Sequence, residues 1–520
     1  MLFNSATFLF VFLPIAAAGF FALGAVAHRL AAAWLAAASV VFYSWWNPAY
    51  VPLLLCSIAV NFLAGVSLAR SAKHDRPSRK LLLTAAVVFN LALLGYYKYS
   101  NFVWLALCDA LGARCHALDI TLPIGISFFT FTQIAFLVDA YRGEVRQYHF
   151  VHYTLFVSYF PHLVAGPILH HREMMPQFSL RSTYRPRWRS FALGVTFLSI
   201  GLFKKVGIAD HLAPYANEVF ATAARGERIT LIDGWAGALT YSLQLYFDFS
   251  GYSDMAIGIS HFFGVRLPVN FDSPYKARNI AEFWRRWHMT LSRFLLAYVY
   301  IPLGGNRRGA VRTYVNLLAT MVIGGIWHGA GWTFLIWGGL HGVYLVVHRT
   351  YLDNAASQWL RMHGRSATVA STLLTFVAVV VGWVFFRADS ASAALTILTG
   401  MAGGAGLVIP GRAGAGLGPV AEWLVKLGAT FGDLPSAASI RHLGTLAALL
   451  AAVWLLPNTQ QIMARFAPAI PIYRPIIPPR NPAFAWSPSA RWLLVTAALG
   501  WLGLVGVFSG KESPFLYFNF

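Results

Sequence analysis

The chain has 520 residues, 58% of them hydrophobic and only 11% charged. Soluble domains carry about a quarter charged residues, so this composition excludes one and points to a polytopic membrane protein. The net charge of +21 lies in short loops between apolar segments. That pattern follows the positive-inside rule and attraction to anionic lipid, and gives no support for a nucleic-acid partner.

Apolar segments of spanning length fall near residues 7–27, 31–47, 50–68, 81–98, 121–140, 191–206, 235–262, 312–328, 331–348, 368–386, 441–456 and 491–509. An all-α bundle of about 11–12 membrane segments is expected, some of them re-entrant. Thr7–Ala27 follows no basic stretch and precedes no small-residue cleavage site, so it reads as a retained first span. The basic cluster Arg70–Lys80 is placed in the cytosol. Counting spans from it puts 108–120 outside and the Arg-rich 142–190 inside. Three cysteines are too few for a disulfide framework or a zinc site of their own. Cys108 and Cys115 would sit in or beside an oxidising compartment, bonded if the loop turns back, with Cys108 packed at a helix end as the alternative. A full span at 191–206 would put Lys204-Lys205 on the outer side, against the charge rule. Either that segment or Phe150–Pro167 is therefore expected to turn back within the membrane.

Asn270–Arg312 is polar and aromatic together, and Phe283–Ser292 reads as an interfacial amphipathic helix with Arg285, His288 and Ser292 on one face. Ala402–Pro419 is Gly-rich and Pro468–Pro488 Pro-rich, both read as connections without a core. No internal repeat is visible, which opposes the inverted-repeat transporter folds.

Gly324-Gly325-Ile326-Trp327-His328-Gly329-Ala330-Gly331-Trp332 lies in a long run, Tyr314–Val347, without Asp, Glu, Lys or Arg. Lipid cannot solvate an ionisable group there, so His328 must face a bundle interior or a cavity, as a structural hydrogen-bonder or a catalyst. The glycines permit close helix contact, and Trp327 and Trp332 flank a ligand's approach. His341 would lie about 220° from His328 on one continuous helix and reads as packing. Asp248 and Asp254 sit in another apolar run, where each needs a partner or a proton, either Arg285 or Arg286 or a role in the site. His170-His171 reads as an interfacial surface feature. The spacing of His348 and Asp353 matches a His-x4-Asp pattern too short to weigh. No Walker A loop, His-Glu-x-x-His or Gly-x-Ser-x-Gly occurs. Chemistry alone leaves an enzyme and a transporter equally open.

The motifs decide more. Leu122–Phe131, Phe160–Ile168, Tyr246–Gly258, Asn270–Tyr275, Phe283–Ser292, Tyr300–Arg307, Gly325–His341, Phe385–Ala388 and Phe515–Phe520 run in an order that resembles the membrane-bound O-acyltransferase superfamily, in its alginate O-acetylation branch. The resemblance spans 1–520 as a single membrane domain, with core motifs in 121–348 and 401–490 least matched. It implies a helical bundle around a central funnel, with His328 as the catalytic histidine and His288 as the second motif histidine, in chemistry or architecture. Asp248, Asn270, Trp327 and Trp332 are the expected channel or substrate residues. Leu296-Ala297 replaces the family's usual Arg-Asp pair, which puts local contacts or partner docking in question. The implied reaction passes an acyl group, acetyl foremost, from a cytosolic thioester such as acetyl-CoA to an outer hydroxyl. No bound cofactor or metal is called for. The expected setting is the bacterial inner membrane, with periplasmic acetyl-acceptor proteins and an exopolysaccharide such as alginate or cellulose downstream. Peptidoglycan or a lipid-linked glycan is the alternative acceptor, and a transporter of an acyl carrier or glycan the alternative of another class.

Overall fold

A computed structural model describes residues 1–71, 77–145, 149–353, 364–410, 418–426, 429–432, 436–509 and 514–516. The middle of the basic cluster at 70–80, much of the Gly-rich stretch and Tyr517–Phe520 of the last motif lie outside the described residues.

Every apolar segment read from the sequence falls on a helix. The helices used below are α1 (Phe8–Val26), α2 (His28–Ser44), α3 (Val51–Arg70), α4 (Pro77–Ala110), α5 (Ile126–Tyr141), α6 (Phe150–Ser158), α7 (Phe160–Leu163), α8 (Trp188–Ala224), α9 (Leu231–Phe262), α10 (Ile280–Trp284), α11 (Met289–Leu295), α12 (Gly309–His328), α13 (Trp332–Asp353), α14 (Arg365–Arg387), α15 (Ala391–Met401), α16 (Ile440–Leu455) and α17 (Ala490–Phe508). Among the described residues, seven helices are long and apolar enough to cross a membrane, or eight if the bent pair beginning with α16 is one span. Among the same residues, strands are confined to one short parallel pair, Leu407–Pro410 with Ala429–Gly432.

The centre is α9, in which every residue from Thr240 to His261 is buried. A helix without a lipid face needs no apolar stripe, and polar residues occur all round it. Its first half packs into one aromatic core with α14 and α15, its second half into another with α1, α2, α5 and α6. The chain returns through the seam between these cores at Trp287 and Met289, and again at Trp327 and Trp337.

The structure decides one alternative and changes three expectations. The segment at 191–206 does not turn back. It belongs to α8, a continuous helix of 37 residues, about 55 Å long and so longer than a bilayer core. Lys204 and Lys205 lie near its middle, on a π-bulge at Phe203–Ala209. Gly194 and Gly201 of α8 meet the backbone of Gly258 and Gly251, where an added Cβ would stand 2.8 and 2.6 Å from a carbonyl oxygen. That close crossing brings both lysines to the carboxylates of α9. The partners of Asp248 and Asp254 are therefore not Arg285 or Arg286. Lys205 Nζ lies 2.8 Å from Asp248 and 2.7 Å from Asp210, and Lys204 Nζ lies 2.7 Å from Asp254. Phe150–Pro167, by contrast, is broken into the short α6 and α7 and buried from Tyr153 through Pro167.

The Pro-rich connection is not without a core. Ile470 donates to Leu267 O and accepts from Val269 N, both at 2.9 Å, and Trp486 is buried. His170-His171 is not a surface feature either: His171 is 6% exposed, and both imidazoles stand 3.2 Å from Asp139. Burial brings the His170 imidazole down to about 4, against the pull of Asp139. Cys108 and Cys115 are joined in a disulfide, with Cα atoms 6.1 Å apart.

The lysine–aspartate pairs give a stability prediction. Removing one partner of a buried ion pair leaves an uncompensated charge and costs about 3–5 kcal/mol. Lys205→Met should therefore lower the thermal unfolding midpoint of the purified protein sharply. Lys205→Met combined with Asp248→Asn should recover part of that loss. Equal unfolding of Lys205→Met and wild type would show that the pair contributes nothing.

Candidate active site at the end of α12

Helix α12 stops at His328. Gly329 turns into extended backbone, φ −159° and ψ 154°, and α13 begins at Trp332. The two helices pack without room for side chains, since a Cβ on Gly325 would stand 2.4 Å from Phe334 O, and one on Gly338 2.5 Å from Met321 O. The break also corrects the helical-wheel reading of His341. His328 and His341 are not on one continuous helix, and both lie against Trp337, at 5.1 and 4.9 Å between ring centroids.

A helix ending inside the bundle leaves its last carbonyls without intrahelical partners. Lys98 Nζ donates to Trp327 O at 2.5 Å and His328 O at 2.9 Å, and the Tyr99 hydroxyl donates to Ile326 O at 2.7 Å. A cation at a helix C-terminus also suits the macrodipole. Lys98 and Tyr99 sit on a π-bulge, Gly95–Tyr99, in the middle of α4. Sequence reading missed them because it ended the apolar segment at Lys98. The signal was the run Tyr96-Tyr97-Lys98-Tyr99, a lone lysine among aromatics.

His288 does not share a helical face with Arg285 and Ser292. It has φ 41° and ψ 53°, a left-handed conformation unusual for a side chain of this size, and it separates α10 from α11. Trp284 and Trp287 are buried, while Arg285 is exposed, so the stretch is a broken wall of the core and not an interfacial helix. Asn270 Oδ1 lies 3.2 Å from His288 Nδ1 and accepts from the Thr290 hydroxyl at 3.0 Å. The amide oxygen accepts, so His288 carries its proton on Nδ1 and presents Nε2 away from Asn270.

The two imidazoles, forty residues apart in sequence, come together with ring centroids 6.4 Å apart. His288 is fully buried and His328 4% exposed. Trp327 packs beside both, 5.0 Å from His328 and 6.2 Å from His288, and Phe386 closes the far side of His328 at 5.2 Å. Asn270 and Trp327 thus belong to this cluster. Asp248 is committed to Lys205 and accepts from Leu516 N at 3.2 Å. Trp332 is 61% exposed, against Phe102.

Two openings lie at opposite ends of α12. A cavity of about 120 Å³ reaches His328 and Trp327, lined also by Lys98, Ser127 and the loop at Leu122–Gly125. At the other end, by Thr313 and Leu317, lies a basin of about 1080 Å³ whose walls carry Arg285, Arg286, Arg307, Arg349, Arg474 and His348. Leu296, one of the two residues that depart from the family pattern, lines this basin. Among the described residues, the one acid on the basin's wall is Glu282, which pairs with Arg286.

The family model for MBOAT, the membrane-bound O-acyltransferase family, matches residues 31–388. The chain belongs to the membrane-bound O-acyltransferase family. A peptidoglycan O-acetyltransferase of Helicobacter pylori is 44% identical over 78% of this chain and 80% of its own. Proteins described as probable alginate O-acetylases are 41% identical in Azotobacter vinelandii, over 77% of this chain and 78% of that one, and 41% in Pseudomonas aeruginosa, over 75% and 72%. This chain is therefore a membrane O-acyltransferase, a multi-pass protein of the bacterial inner membrane.

Asn270 Oδ1 holds the His288 ring, which generates a prediction. Asn270→Ala removes the acceptor that fixes the His288 ring, and a misplacement of about 1 Å in such a site can cost roughly 10²-fold in rate. The expected result is a fall in kcat with a nearly unchanged KM for the donor, and partial recovery in Asn270→Asp, which keeps an acceptor. Unchanged kcat in Asn270→Ala would remove this role.

Proposed function

We propose that this chain transfers an acetyl group from a cytosolic thioester such as acetyl-CoA to a hydroxyl on the periplasmic side. The observation that carries this reading is the meeting of His328 and His288 between a small cavity and an arginine-lined basin at opposite ends of α12. Arg285 and Arg307, with Arg286, Arg349 and Arg474 already paired to carboxylates beside them, suit the phosphates of a nucleotide-linked thioester, because Arg pairs with phosphate in a bidentate fork. The disulfide loop at Cys108–Cys115 precedes the cavity wall at Leu122–Gly125, in keeping with an oxidising compartment at that end.

His328, as a neutral base, takes the acceptor hydroxyl's proton while the oxygen attacks the thioester carbonyl. The oxyanion is stabilised by a backbone N–H of the glycine-rich turn, and His288, whose Nδ1 proton is held by Asn270, faces the site with an accepting Nε2. Collapse breaks the carbon–sulfur bond, and the proton on His328 leaves with the thiol. No charged group of this chain needs to move.

The acceptor is a polysaccharide hydroxyl, or a periplasmic partner protein that relays acetyl to one. An exopolysaccharide such as alginate or cellulose is the first reading. The Helicobacter pylori relative, named for peptidoglycan, favours peptidoglycan as the second. Measuring O-acetyl content in both polymers from a strain lacking this chain separates the two.

The catalytic test uses labelled acetyl-CoA with purified protein and its partners in vesicles. His328→Ala should fold and insert normally but lose transfer by roughly 10²–10⁴-fold. His328→Gln keeps hydrogen bonding without titrating, and should be nearly as inactive. Wild-type transfer by a well-folded His328→Ala protein would refute the assignment. Transport of intact donor without acetyl transfer would favour the transporter reading.

A further inference from the structure

A second cluster of histidines lies apart from the first. Asp139, in the last turn of α5, is 1% exposed. His170 follows the loop after α7, and His171 opens the short helix His171–Met174. Asp139 Oδ2 lies 3.2 Å from His170 Nε2 and 3.2 Å from His171 Nδ1, and the ligand atoms of all three residues fall within 4.8 Å of one another.

An ion-pair reading leaves two facts unexplained. First, His171 is 94% buried by its 6% exposure, yet neither ring nitrogen has a hydrogen-bond partner of acceptable geometry. A buried polar group left so costs about 1–3 kcal/mol. Second, the Asp139 carboxylate is enclosed while the guanidinium nearest it, Arg142, stands 3.9 Å away and is 38% exposed. Both are resolved by a small cation between the three side chains. Donor atoms about 2.0–2.1 Å from a tetrahedral zinc ion stand about 3.3 Å from one another, which matches the two distances of 3.2 Å. Two imidazoles and one carboxylate form a donor set suited to first-row transition metals, and oxygen-loving magnesium or calcium would not select it. The Tyr298 hydroxyl lies 3.0 Å from both Asp139 oxygens and 2.6 Å from His170 Nε2. It is placed to orient the carboxylate, and its contact with His170 Nε2 opens when that nitrogen takes the metal.

We propose that Asp139, His170 and His171 bind a divalent transition-metal ion, zinc foremost, with water as the remaining ligand. No motif pointed to a metal here, and this site takes no part in the proposed transfer. Its effect is to clamp three segments: the end of α5, the entry to His171–Met174, and the bulge at Leu296–Tyr300 that carries Tyr298. That bulge connects to the active site by a line of packed rings. Tyr298 meets Phe294 at 4.9 Å, Phe294 meets Phe131 at 4.1 Å, and Phe131 meets Trp327 at 5.0 Å. The metal would hold one wall of the His328 pocket in place.

The test is the metal content of the full-length protein, purified in detergent with a tag that contains no histidine. Plasma mass spectrometry should find about one zinc per chain in wild type, since a preformed buried site retains its metal through gel filtration. After chelation, added Co²⁺ should give the visible absorption bands of a four-coordinate site. His171→Gln and Asp139→Asn should lose both signals, while His328→Ala should keep them. Added zinc should raise the unfolding midpoint of chelated wild type and leave that of His171→Gln unchanged. Wild type that holds no metal and takes up neither zinc nor cobalt overturns the proposal, as does full metal retention in His171→Gln. If the variants fail to fold, the wild-type metal content and cobalt spectrum decide alone.

Discussion

An α-helix that stops within a membrane protein leaves carbonyls that lipid cannot satisfy, and α12 stops at His328. Lys98 and Tyr99 meet that demand from a bulge in α4, and the rest of the site follows from it. Because the helix ends there, the His328 ring lies in the seam between two aromatic cores and not on a lipid-facing surface. Because the cap comes from a lysine, an amine donor stands beside the cavity that reaches His328. Lys98 is held by the same two carbonyls that it caps, so the amine and the histidine are fixed relative to each other.

The same logic orders the charges elsewhere. The α8–α9 crossing is close because glycines face each other, and its closeness lets Lys204 and Lys205 neutralise Asp254 and Asp248. Those pairs are architecture. The arginines of the basin lie at an opening, where a phosphate-bearing ligand can reach them. Arg286, Arg349 and Arg474 already pair with Glu282, Asp353 and Asp272, so burial, and not pairing, distinguishes the basin's charges from those that hold the bundle.

Much of this was legible in the residues. Every apolar segment of spanning length falls on a helix, though short helices such as Ala391–Met401 carry no such signal, and the resemblance carried His328, His288, Asn270 and Trp327, which the fold gathers into one cluster. The remainder depended on tertiary contacts. A lysine pair in mid-helix looks like a loop until the facing glycines of α8 and α9 are known. The run Phe283–Ser292 has helical periodicity, but the left-handed backbone at His288 breaks it, and no local propensity announces that conformation. His341 was assigned to the far side of a helix that Gly329 interrupts. The partners of Lys98 and of Asp139 lie more than two hundred and about thirty residues away, respectively, and only packing brings them together.

In the proposed reaction, donor and acceptor reach the histidine pair from opposite ends of α12. Proteoliposomes with the chain inserted in one known orientation test it, with acetyl-CoA confined to one side and the acceptor to the other. Transfer should occur when the donor faces the Arg285 basin and the acceptor faces the Lys98 cavity, and should cease when the two are exchanged. Equal transfer in both arrangements, or transfer only when donor and acceptor share a side, would contradict the account.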